Sequence, residues 1–156
     1  MILAMDPGTN KSALIAWDGA NMIYRATPAN ETILNELLPL WIMDTQILVI
    51  EDIVYANDAG RELFTTVRWT GRFEQQWLFL GGKTIYVPRS TVKTHICGKG
   101  TVKDSNVNFA LRERFAGGQK VTRASILWKM EEHEKQALAL AVCYWDREIG
   151  PENPFA

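Results

Sequence analysis

Two acidic residues stand where an apolar run stops. Asp6 follows Met1-Ile2-Leu3-Ala4-Met5 and opens the turn Pro7-Gly8-Thr9-Asn10-Lys11-Ser12, and Glu51 follows Ile47-Leu48-Val49-Ile50. Short apolar runs of this kind read as strands buried on both faces. An acid leaving such a strand serves a turn, an ion pair or a ligand. For Asp6 the turn reading is open, because Asp before Pro-Gly commonly initiates one. For Glu51 the competing reading is a structural ion pair. Adjacent strands would set the two side by side, and carboxylate oxygens are the donors that hard divalent cations prefer. Metal pairs about 3.5–4 Å apart serve phosphodiester cleavage. Asp52 alternates to the opposite face of its strand and is read as supporting the ligands from behind or as structural.

A third ligand has to come from elsewhere. The dense polar run Glu131-Glu132-His133-Glu134-Lys135-Gln136 opens the last helical pattern. His133, Gln136, Ala137 and Leu140 share one helical stripe. His133 is therefore a candidate metal ligand or a base for an attacking water. A surface histidine beside capping acids is the plainer alternative.

Charge is unevenly distributed. The chain carries a formal net −1, yet residues 89–123 hold eight basic residues against two acidic ones. A basic segment beside an acidic cluster suits an enzyme that acts on a polyanion, with bases on phosphates and acids on metal. A solvated charged loop and helix would give the same count. Gly98-Lys99-Gly100, between Lys93 and Lys103, could let backbone approach a phosphate. Alone, that motif is weak.

The elements that must position these residues follow from periodicity and punctuation. Strands are expected at Ile2–Met5, Ala13–Trp17 and Met22–Arg25, forming an antiparallel meander. Asn30 is expected to cap a helix over Thr32–Ile42, before a strand at Gln46–Ile50. A long helix over Arg61–Phe79 follows the Asn57-Asp58-Ala59-Gly60 break and stops at Gly81-Gly82. Its Trp69, Phe73 and Trp77 form a stripe whose first reading is core packing; self-association around Gly71 and base stacking are the others. A strand at Thr84–Val87, a short helix from Arg89, a helix over Asn106–Phe115 and a last helix near Glu132–Trp145 complete an α/β arrangement around a mixed sheet. With 156 residues, 47% of them apolar, one domain over residues 1–150 is expected, with 151–156 a loose tail. Cys97 and Cys143 follow no disulfide or metal spacing and read as structural. No signal peptide and no membrane-spanning run of 18 apolar residues is visible, which favours the cytosol and no membrane partner.

In this order, the motifs resemble the RuvC family of Holliday-junction resolvases in the RNase H-like superfamily, in particular its small phage-encoded branch. The resemblance is carried by Ile2-Leu3-Ala4-Met5-Asp6-Pro7-Gly8-Thr9, Val49-Ile50-Glu51, Val87-Pro88 with Val92-Lys93, Gly98-Lys99-Gly100-Thr101-Val102-Lys103, and Gln136-Ala137-Leu138-Ala139-Leu140-Ala141. It implies an RNase H fold, two Mg²⁺ ions per site with Mn²⁺ as a substitute, and a homodimer that cuts four-way or branched DNA. It also implies the cytoplasm of a phage-infected bacterium. Asp6, Glu51, His133 and Gln136 take the positions of the metal-binding catalytic set. Lys93, Lys99, Lys103, Arg89, Gly98 and Gly100 take those of DNA contacts, and Tyr55 is nearest to the family's aromatic wedge. The chain departs at Gln136, where the family has an Asp. An uncharged amide there weakens metal binding unless Glu132 or Glu134 substitutes, so a disabled nuclease or a junction-binding protein is the companion reading. A general flap or branched nucleic-acid nuclease is the other.

Overall fold

The computed structural model describes residues 1–54 and 60–150. Five strands form one mixed sheet: β1 (Ile2–Asp6), β2 (Ala13–Trp17), β3 (Met22–Ala26), β4 (Ile47–Asp52) and β5 (Lys83–Pro88), in the order β3-β2-β1-β4-β5. The first three pair antiparallel, whereas β1, β4 and β5 run parallel. Every residue of β1 and β2 is buried, as continuous apolar strands in the middle of a two-sided sheet must be.

Side chains alternate between the two faces. Ile2 and Ala4 of β1 and Val49 of β4 join the core formed with α6 (Glu132–Tyr144). Leu3, Met5, Leu48 and Ile50 join the core formed with Phe73 and Trp77 of α3 (Arg61–Phe79). Asp6 and Glu51 continue the first series, so both carboxylates emerge toward α6, and Asp52 continues the second. Phe73 and Trp77 are fully buried, and Trp69 stacks on Phe73 at 5.7 Å between ring centroids. The aromatic stripe is thus core packing.

Residues 30–41 differ from the simple capped helix expected. Short α-helical pieces, α1 (Asn30–Thr32) and α2 (Leu38–Trp41), flank a π-helical turn at Ile33–Leu37. Pro39 has no N–H for the helical ladder, and the backbone widens over the turn before it. Asn30 does not cap this helix. Its buried amide donates to the Gly8 carbonyl at 2.9 Å, and its Oδ1 accepts from the Ser12 hydroxyl at 2.7 Å.

The helices α4 (Arg89–Cys97) and α5 (Asp104–Ala116) pack against α6 through Val92, Val107 and Leu111. A second π-helical turn, Trp145–Ile149, continues α6. Among the described residues, no helix is long and apolar enough to cross a membrane. The tail at 151–156 and Tyr55 both lie outside the described residues.

Candidate active site

The parallel register of β1 and β4 brings the two strand-end acids together. Met5 stands opposite Ile50, so the next step pairs Asp6 with Glu51. Both are buried. Burial pushes the carboxyl of Asp6 above its ordinary range, although its contact with His133 partly opposes this. Glu51 is pushed up by burial and then by the Asp6 charge, against the pull of Arg89. Two buried like charges side by side favour a cation between or beside them.

One cation is built in. Arg89, the first residue of α4, reaches back from the end of β5 and forks across two acids. Its Nη1 lies 2.6 Å from Oε1 of Glu51, and its Nη2 lies 2.9 Å from Oδ2 of Asp104. Lys93, one turn further along α4, lies 3.0 Å from Oδ1 of Asp104. Burial works against the charge on Arg89, but Glu51 and Asp104 outweigh it and raise its pKa. Asp104 is held below the ordinary carboxylate range because the Lys93 and Arg89 contacts outweigh its own burial. Arg89 and Lys93, expected to meet DNA phosphates, are both engaged here by acids of the chain itself.

The start of α6 closes the site from above the sheet. Nδ1 of His133 lies 2.8 Å from Oδ2 of Asp6, while most of the imidazole, 70% of the side chain, faces solvent. Neither neighbouring glutamate turns to the acids. Glu134 completes a capping box, accepting the Glu131 backbone N–H at 2.9 Å. Glu132 accepts from Asn108 at 2.9 Å and from the buried Gln136 amide at 3.1 Å. These bonds hold Glu132 below its ordinary pKa against its own burial. Substitution of the missing acid by Glu132 or Glu134 is therefore not what this geometry presents.

Gly98-Lys99-Gly100 has an architectural account. Gly98 ends α4 in the left-handed region, at φ 77°. A Cβ at Gly100 would press on the Ser90 carbonyl at 3.1 Å. Lys99 and Lys103 are exposed, and neither ammonium group is in an ion pair among the described residues.

Asp104 is the site residue that sequence reasoning missed. It lies close enough to raise both Asp6 and Glu51 electrostatically. The one signal available was an acid placed inside a strongly basic segment.

The residues fit a hard divalent cation at Asp6 and Glu51. Oε2 of Glu51 is buried without a hydrogen-bond partner, in line with an acceptor that awaits a ligand. Among the described residues, no group of three or more His, Cys, Asp and Glu side chains converges on one point. Mg²⁺ is usually held by one or two carboxylates together with water and substrate phosphates, and the two strand-end acids supply that number.

Fold and strand-end acids together define an RNase H-like α/β domain. Its fold is that of RuvC. The Thermus thermophilus RuvC structure matches with a TM-score of 0.70 at 14% identity, covering 96% of each chain. T. thermophilus RuvC in complex with Holliday junction substrate matches with a TM-score of 0.68 at 18% identity, covering 92% of this chain and 91% of that one. No model of a known family and no curated protein sequence matches the chain.

Proposed function

We propose that the chain is a Mg²⁺-dependent endonuclease that selects four-way or branched DNA. The observation that carries this reading is the pairing of buried Asp6 and Glu51 at adjacent parallel strand ends, under His133, in a RuvC-like fold. Asp6 and Glu51 would hold Mg²⁺, or Mn²⁺ in its place, and the ion when bound would polarise the phosphate and lower the pKa of a water. His133, oriented by Asp6 through Nδ1, keeps its other nitrogen for the proton of the attacking water. Arg89 and Lys93 stand on Glu51 and Asp104, where phosphates would compete with Asp104 for both, and Lys99 and Lys103 would add further phosphate contacts. Cleavage then leaves a 5′-phosphate and a 3′-hydroxyl.

Symmetric cutting of a junction calls for two sites and hence a homodimer. Helix α3 supplies the candidate face: Phe64, Val67 and Leu78 are exposed on it, and Gly71 has open space beyond it. A catalytically silent junction-binding protein is the second reading, favoured by the engagement of Gln136 with Glu132 rather than with Asp6 or Glu51.

The deciding experiment incubates the chain and Gln136→Asp with a labelled four-way junction and with linear duplex, in Mg²⁺ or EDTA. Junction cleavage by the native chain supports the nuclease. Binding without cleavage, converted to cleavage by Gln136→Asp, supports the silent form. Equal handling of junction and linear duplex by both proteins overturns junction selectivity.

A further inference from the structure

Between α5 and the segment leading into α6 lies a cavity of about 580 Å³ that Asp6 and Glu51 do not line. Phe109 and Trp128 contribute aromatic surface, with Leu111 buried beneath them. Arg112, Lys129 and Lys135 also line it, and no acidic residue does so among the described residues. Phe109 is 54% exposed, and Arg112 stands over it at 5.5 Å from the centroid.

The cleft is held in shape from the sheet. Arg25 of β3 donates to the carbonyls of Trp128 at 2.6 Å and Ile126 at 3.4 Å, fastening the segment that bears the indole. Lys129 has φ 52°, a left-handed conformation that an L residue with a long side chain adopts only when its surroundings impose it. The cleft also adjoins the strand-end acids. Asn108 and Lys135, which line it, both contact Glu132, the residue before His133.

We propose that this cleft holds one unpaired nucleotide of a DNA strand that passes His133, with its base on Phe109 and Trp128 and its phosphates on Lys129 and Lys135. The inference rests on the nuclease reading above and adds a substrate feature to it. An aromatic platform beside clustered cations is the chemistry that single nucleotides require. A volume of this order takes a ligand the size of one nucleotide, and a base still stacked in a duplex has no free face to lay on the rings. A base that stays paired cannot enter, so the protein discriminates in favour of branch points carrying an unpaired nucleotide.

The test measures fluorescence anisotropy in EDTA, so that no strand is cut. Three labelled four-way junctions are compared: fully paired, with one unpaired nucleotide at the branch point, and with an abasic residue at that place. The native chain should bind the unpaired junction at least fivefold more tightly than the other two. The ratio should fall to near one in Trp128→Ala and in Lys129→Gly, the latter keeping a residue compatible with the local φ should the indole prove necessary for folding. Equal affinities in the native chain, an advantage that the abasic junction shares, or a ratio untouched by Lys129→Gly would overturn the cleft proposal while leaving the nuclease reading standing. Failure to bind any junction would overturn both.

Discussion

Asp6 and Arg89 carry opposite liabilities. A carboxyl raised by burial favours its protonated form in the fold, so stability falls as pH rises from the unfolded value of 3.8 through the raised folded one. At neutral pH the ionised Asp6 is therefore a net cost without a cation. Asp6→Asn is expected to raise the melting temperature of the metal-free protein at pH 7, by about 1 kcal/mol in stability, and to abolish the further rise that Mg²⁺ gives the native chain. Differential scanning calorimetry with and without Mg²⁺ reads both effects. Arg89 holds Glu51 Oε1 at 2.6 Å. Its removal in Arg89→Ala should strengthen Mg²⁺ binding several-fold by calorimetric titration, yet weaken junction affinity roughly tenfold, about 1.4 kcal/mol for a lost charge-assisted phosphate contact. Weaker binding of the ion in Arg89→Ala would mean that the guanidinium supports the site rather than competing for it.

The three outer helical pieces are joined at one acid. Asp146, in the turn that continues α6, lies 3.1 Å from Nε2 of His95 on α4 and 3.0 Å from Nη2 of Arg114 on α5. Burial works against its charge, but Arg114 and His95 outweigh it and hold its pKa below 3.8. A depressed carboxylate stabilises above its unfolded value, and that contribution is lost as pH falls through the folded one. Asp146→Asn should cost about 0.5 kcal/mol at pH 7, small because solvent screens the network, and nothing once both carboxyls are protonated. Urea melts at the two pH values would show it, and an equal loss at both would mean that the contact is not electrostatic. At this scale much was legible. The ends of β1 and β4 declared themselves because apolar runs stop at an acid, and α3 matched its expected bounds because its stripe is long and bounded by glycines. The unread parts depend on distance in space: Asp104 matters only because α5 starts beside the end of β5, and Asn30 looked like a cap because its bonds to Gly8 and Ser12 cross a sequence gap. Gln136 was legible as a departure, but not the pull of Glu132 upon it.

For the whole molecule, assembly decides whether two cuts can be paired. Phe64, Val67 and Leu78 are 58%, 47% and 49% exposed on α3. If α3 is the proposed dimer face, Phe64→Glu with Val67→Glu should place like charges across it and weaken association by about 2 kcal/mol or more, roughly thirtyfold. Light scattering over a concentration series tests this, and an unchanged mass would exclude α3 as the interface. Gly8 N–H donates to the Ser12 hydroxyl at 3.1 Å, that hydroxyl donates to Asn30, and the Asn30 amide returns to the Gly8 carbonyl. This closed ring locks the turn after Asp6 to the start of the following helix. The carboxylate is thus preorganised when the chain folds, and capture of the proposed ion would carry little ordering entropy. Amide hydrogen exchange at Gly8 should be equally slow with and without Mg²⁺, whereas in Asn30→Ala it becomes fast and ion-dependent, turning a preset seat into one that the ion itself has to shape.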